Sequence, residues 1–187
     1  ITTNDETASG SCGEALTWSL NSAGDLTVSG TGDMASFTAT GAPWAEYRDQ
    51  VKLVIVGQGV TSIGSSAFQD CKNLETVSLP GSLTALGKAA FLRCGELTNV
   101  KLPASLKSVG EDCFTGCEKL VLLDLTGVPD EIMELRTSLE GTVTLPAGVK
   151  NARLRWALET AAGEIPCSEI AEVCGQEGGY YLKTVSY

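Results

Sequence analysis

Three stretches of the chain superimpose at a spacing of 23 residues: Ile63-Gly64 to Leu74, Leu86-Gly87 to Leu97, and Val109-Gly110 to Leu120. Each reads Φ-G-x-x-a-F-x-x-C-x-x-L, with Φ aliphatic and a either Ala or Cys, and each feeds a short strand-like run ending in Leu. A unit this short has too little apolar surface to fold alone. Stacked on its neighbours it contributes to one continuous core, and the two end units then need covering. The repeat thus predicts a solenoid before any local signal is weighed.

Aligned positions show what must face inward: Phe68, Phe91 and Phe114; Cys71, Cys94 and Cys117; Leu74, Leu97 and Leu120; Val77, Val100 and Leu123; Leu79, Leu102 and Leu125. Side chains alternate along a strand, so Leu53 and Ile55, Thr76 and Ser78, Asn99 and Lys101, and Leu122 and Asp124 fall on the outward row. Thr76, Ser78, Asn99, Lys101, Leu122 and Asp124 are the candidate ligand-binding residues, a mixture of small hydroxyl, amide, charged and apolar groups. Five rungs about 4.8 Å apart with strands roughly 16 Å long present some ~300 Å². A stable protein interface needs roughly 800 Å² per partner. A protein ligand would therefore need flanking loops or several copies of the chain, whereas a glycan or short peptide fits the sheet alone.

Ile63, Gly64, Ala67, Phe68, Cys71 and Leu74, followed by Leu79-Pro80 and Leu102-Pro103, resemble the leucine-rich repeat of the BspA-like type, found in secreted and surface proteins of bacteria and some protists. The resemblance covers residues 51–125. Upstream, Cys12-Gly13, Trp18, Leu26, Val28, Gly30-Thr31-Gly32, Met34 and Pro43-Trp44 are similar to the segment that often precedes these repeats. Cys113 stands where the family has a small Ala, Thr126 replaces the Pro, and the motif dissolves after Leu125. The resemblance implies an α/β-type leucine-rich repeat solenoid: short parallel β-strands with short helical turns on the other side, an N-terminal β-hairpin cap and a helical C-terminal cap. It also implies an extracellular or cell-surface location, with any signal peptide removed from this chain.

The expected organisation is a single domain: 1–10 a flexible tail, 11–50 the hairpin cap, 51–125 the repeats, and 126–187 a degenerate repeat with the C-terminal cap. Leu16, Trp18 and Leu20 alternate, as do Leu26 and Val28, around the turn residues Asn21 to Asp25. That hairpin would cover the first open edge, with Trp18 and Trp44 beneath it. Downstream, Pro129 with Asp130 and Glu131 opens an expected helix that ends at Gly141. Thr142 to Leu145 reads as a strand, and Asn151 would cap a second helix to about Ala162. Tyr180-Tyr181-Leu182 reads as a final strand.

The net charge is −10, and the acids sit mainly in the flanks: 7 acids and 2 bases in residues 1–62, 7 and 6 in 63–125, 9 and 5 in 126–187. With no basic stripe, this balance argues against nucleic acid as a partner. No run of apolar residues is long enough to insert in a bilayer. Of 7 cysteines, Cys71, Cys94 and Cys117 are expected as free thiols filling core slots. Cys167 and Cys174 are the best bridge candidates. Without histidine or a C-x-x-C pair, no metal or other cofactor is expected.

The lack of histidine also removes the Ser-His and Cys-His arrangements. The adjacent acids Glu111-Asp112 and Asp130-Glu131 fall at expected turns or helix starts, where carboxylates are ordinary. The function expected from the resemblance is non-catalytic adhesion, with a host matrix protein, another cell-surface protein or a glycan as partner. A structural spacer presenting a neighbouring domain is the alternative, and a carbohydrate-active enzyme with two carboxylates across a cleft is a remote one.

Overall fold

The computed structural model describes residues 5–120 and, beyond them, the backbone of strands at 122–124, 142–144, 157–160, 163–166, 174–176 and 179–181. The chain opens with β1 (Glu6–Ser11), β2 (Leu16–Asn21), β3 (Asp25–Gly30) and β4 (Gly32–Asp33), and buried apolar residues alternate with outward polar ones in β2 and β3. A 3₁₀ turn over Ala45–Gln50 leads into β5 (Leu53–Val56) and β6 (Val60–Ile63). The repeats supply β7 (Thr76–Ser78), β8 (Ala85–Leu86), β9 (Asn99–Lys101), β10 (Ser108–Val109) and β11 (Leu122–Asp124). Five more follow: β12 (Thr142–Thr144), β13 (Ala157–Thr160), β14 (Gly163–Pro166), β15 (Cys174–Gln176) and β16 (Gly179–Tyr181).

Ten strands form one sheet in the order β1-β2-β3-β5-β7-β9-β11-β12-β16-β15, and β10-β8-β6-β4 form a second. Pairing is parallel from β3 through β12 and antiparallel at both ends. The hairpin β2–β3 turns where expected: Asn21 Oδ1 accepts from the backbone N–H groups of Ala23 and Asp25 at 3.0 and 2.9 Å, and Gly24 takes φ +92°. Residues 6–10, expected within a flexible tail, belong to the edge strand β1. β1 pairs antiparallel with β2, with a register shift between Glu6 and Ala8 and with Gly10 opposite Trp18.

Through Leu120 the ladder residues are buried as the repeat requires, except that Leu79 is only half-buried, while the side chains of Leu123 and Leu125 lie outside the described residues. The inward side chains of β2 and β3, Leu16, Trp18, Leu20, Leu26 and Val28, join the same core. One aromatic column runs through it. Trp18 meets Trp44 edge-on at 5.6 Å between ring centroids, Trp44 stacks on Phe68 at 5.2 Å, Phe68 on Phe91 at 5.3 Å, and Phe91 on Phe114 at 5.6 Å. Trp44 thus occupies the first rung of the Phe ladder, and its indole N–H donates to the Ala67 carbonyl at 2.8 Å.

Behind the sheets, the expected short helices are replaced by turns of mixed handedness. Ser66, Ala89 and Asp112 share one left-handed position (φ +54°, +56° and +58°), and Asp70, Arg93 and Gly116 share another (φ +62°, +60° and +73°). Reversing φ twice per unit prevents helical i to i−4 bonding. The backbone donors turn to the next unit instead: Ser66, Phe68 and Asp70 N–H to the carbonyls of Lys88, Ala90 and Leu92, then Ala89, Phe91 and Arg93 to Glu111, Cys113 and Thr115, all between 2.8 and 2.9 Å. Neighbouring turns approach so closely that a Cβ on Gly87 would lie 2.4 Å from the Ser65 nitrogen and one on Gly110 2.3 Å from that of Lys88. The glycine of the motif is therefore a packing requirement.

Cys71, Cys94 and Cys117 are free buried thiols, as are Cys12 and Cys113. Cys94 and Cys117 donate their S–H to the carbonyls of Phe68 and Phe91 at 3.2 and 3.3 Å. Burial pushes the thiols of Cys71, Cys113 and Cys117 up to about 12 and that of Cys12 to about 11.

The expected second helix to Ala162 is contradicted. Ala157–Thr160 is strand β13, paired antiparallel with β14 so that Leu158 lies opposite Ile165. Only two residues separate these strands, the spacing of an antiparallel hairpin, and that pairing prevails there over the helical spacing of Leu154, Leu158 and Ala161. The strands expected at 142–145 and 180–182 appear as β12 and β16. The expected helix at 129–141 and a Cys167–Cys174 bridge lie outside the described residues.

Candidate functional site

Buried Val77 fixes the orientation of β7, so Thr76 and Ser78 on either side of it are exposed. Val100 does the same for Asn99 and Lys101 on β9. Parallel in-register pairing then assembles rows: Leu53 beside Thr76 and Ile55 beside Ser78, and Thr76 beside Asn99. Asn99 and Lys101 neighbour Leu122 and Asp124 through the backbone. All six expected site positions thus share one sheet, in adjoining strands. Leu53 and Ile55 are half-buried and form an apolar pair at the centre of the described face.

The rows continue where the sequence was read only as a cap. Asp25 and Thr27 pair with Leu53 and Ile55. Beyond them, Ser29 pairs with Thr17 and Thr27 with Ser19, then Thr17 with Ser11 and Ser19 with Ser9. The missed residues had a signal. The alternation of Leu16, Trp18, Leu20, Leu26 and Val28 that marks the hairpin also assigns Thr17, Ser19, Thr27 and Ser29 to the outer face. At about 4.8 Å per strand, ten strands make this sheet roughly 43 Å wide, about twice the expected width.

Away from that face, charges pair one repeat apart on the turns. Arg93 Nε and a terminal guanidinium nitrogen donate to Asp70 Oδ1 and Oδ2 at 2.7 and 2.8 Å. Lys88 contacts Glu111 at 3.2 Å and Lys119 contacts Glu96 at 2.6 Å. The Arg93 guanidinium holds the Asp70 carboxyl below the usual carboxylate range. Glu111, one of the acids weighed for catalysis, thus has a lysine partner, and its neighbour Asp112 occupies a left-handed turn position. Asp130 and Glu131 lie outside the described residues. Among the described residues, no group of three His, Cys, Asp or Glu side chains is arranged to hold a metal ion, and no helix is long and apolar enough to cross a membrane.

The BspA type leucine rich repeat region matches residues 46–150 in six copies, more than half of the chain. The chain belongs to the BspA-type leucine-rich repeat family. Its fold is similar to that of a leucine-rich repeat protein from Eubacterium ventriosum, with TM-score 0.52 and 17% identity over 87% of this chain and 50% of that one. This BspA-type chain therefore spans about half the length of that protein. Looser likenesses are to a T. pallidum leucine rich repeat protein (TM-score 0.43, 18% identity, 74% of this chain and 86% of that one) and to a leucine rich cell surface protein from Faecalibacterium prausnitzii (0.43, 17%, 85% and 60%). No curated protein matches the sequence.

Proposed function

We propose that this chain is a non-catalytic binding module of a bacterial cell-surface or secreted protein, and that it takes its partner on the outer face of the ten-stranded sheet from β5 onward. The observation that carries this reading is the in-register exposure of Thr76, Ser78, Asn99 and Lys101 beside the half-buried pair Leu53 and Ile55. Apolar residues clustered on an otherwise polar face mark contact surfaces. Membership of the BspA-type family supports the surface location. From β5 onward the strands are three or four residues long, about 10–13 Å, and their part of the face offers about 350 Å², less than half of the roughly 800 Å² that each partner of a stable interface contributes. A protein partner, such as a host matrix protein or another surface protein, therefore also draws on the turns that flank the strands, whereas a glycan fits the face alone.

The test is capture of matrix proteins and glycans by the chain displayed in many copies, which compensates for weak single contacts. A variant carrying Thr76→Glu, Asn99→Glu and Lys101→Glu runs beside it. These positions are exposed, so the variant is expected to keep the parent melting temperature and lose the captured partner. Capture that survives the three charges removes the site from β7 and β9. No capture by the parent chain favours the structural spacer.

A further inference from the structure

We infer that the outer face of β1, β2 and β3 is a second binding site, for an uncharged oligosaccharide. Register builds it as a grid of two rows: Ser9, Ser19 and Thr27 in one, Ser11, Thr17 and Ser29 in the other. Neighbouring strands stand about 4.8 Å apart and alternate residues about 6.8 Å apart. The six hydroxyls thus have spacings comparable with those between hydroxyls on adjoining sugar rings. They line a shallow depression, open to solvent, together with Glu6, Gly10 and Trp18.

Three features of the depression point to the ligand's chemistry. Of the six hydroxyls only Ser9 has a protein partner, donating to Glu6 Oε1 at 2.8 Å; those of Ser11, Thr17, Ser19, Thr27 and Ser29 have none among the described residues. Each hydroxyl both donates and accepts, as a sugar hydroxyl does, so the two sets can pair in either sense. The nine lining residues carry one charge, Glu6, in a chain of net charge −10. An anionic polymer would be repelled by the surrounding chain, and a cationic one has too few carboxylates here to pair with.

The third feature is rigidity. β2 is hydrogen-bonded on both edges and anchored by buried Leu16, Trp18 and Leu20. β1 lies against the Trp18 indole so closely that a Cβ on Gly10 would come 2.9 Å from its Nε1. Donors held in place before binding lose little freedom on binding, which matters when each hydrogen bond contributes little.

The site is separate from the β7–β9 face, and its test separates the two. Neutral gluco-, manno- and galacto-configured hexasaccharides and a hexauronate are presented in many copies to the full chain, to a variant with Thr17→Val, Ser19→Ala and Thr27→Val, and to the Thr76→Glu, Asn99→Glu, Lys101→Glu variant. Val keeps the strand preference and shape of Thr but removes its hydroxyl. The expected result is binding of at least one neutral hexasaccharide, weakened about tenfold or more by the hydroxyl deletions and unchanged by the glutamates. Hydrogen exchange on the parent chain should show sugar-dependent protection within residues 6–29, a readout that does not depend on any variant folding. Binding of the hexauronate alone, protection elsewhere, loss through the glutamates but not the deletions, or no neutral sugar bound would overturn the inference.

Discussion

At the scale of single residues, the aromatic column and the thiols beside it make separable predictions. Phe91 is fully buried between Phe68 and Phe114. Truncation to Ala removes a ring stacked on both faces, and the neighbouring turns, tied by backbone hydrogen bonds, cannot collapse into the gap. Phe91→Ala is therefore expected to cost about 3–5 kcal/mol, read as a drop in urea midpoint at unchanged slope. The thiols act through protons. Burial raises Cys71, Cys113 and Cys117 from 9.0 to about 12 in the folded chain. The unfolded chain thus gives up protons first as pH rises, and stability present below pH 9 declines between 9 and 12. A chain with Cys71→Ala and Cys117→Ala should show a shallower alkaline loss than the parent when urea midpoints are compared at pH 7 and pH 10. Equal slopes would mean that these thiols ionise as readily folded as unfolded.

At the scale of the element, the turns behind the sheet separate what the repeat could reveal from what it could not. Its inward positions were legible because burial acts on side-chain type, and Phe, Cys and Leu recur at 23 residues. The turn conformation was not, because the two left-handed positions hold Ser, Ala and Asp in one ladder and Asp, Arg and Gly in the other, with no common residue to signal φ. Two substitutions in one turn test this geometry in opposite directions. Gly87→Ala places a Cβ against Ser65 backbone, which cannot swing aside like a side chain, and is expected to destabilise by about 1–3 kcal/mol. Ala89→Gly, two residues on, relieves a Cβ from φ +56° and is expected to be neutral or stabilising by up to about 1 kcal/mol. Thermal melts of the two variants should move apart, and a shift in the same direction would contradict the turn described here. The charge pair Asp70–Arg93 adds little by comparison, since an exposed pair contributes about 1 kcal/mol or less.

At the scale of the whole molecule, the question is whether residues 5–50 form a removable lid or the first layers of the same core. The sequence separated them, because the 23-residue motif starts only at Ile63 and the hairpin has its own alternation. Its outward hydroxyls escaped notice for the same reason, since residues assigned to a cap were not read as part of a binding face. The structure joins the two regions in three ways: β3 pairs in parallel with β5, β4 pairs with β6, and Trp18 and Trp44 lead the aromatic column into Phe68. A boundary crossed by two sheets and a ring stack has no weak plane. Unfolding is therefore expected as one transition, with the fluorescence of a Trp156→Phe chain, which reports on Trp18 and Trp44, and far-UV circular dichroism, dominated by the whole sheet, melting within about 2 °C of each other. A chain starting at residue 34 should fail to fold, because it leaves the inward faces of Val54 and Trp44 uncovered and opens the parallel edge of β5. A stable, soluble truncated chain, or a fluorescence transition well below the dichroism transition, would instead make the hairpin a separable unit and return its outer face to the role of a simple cover.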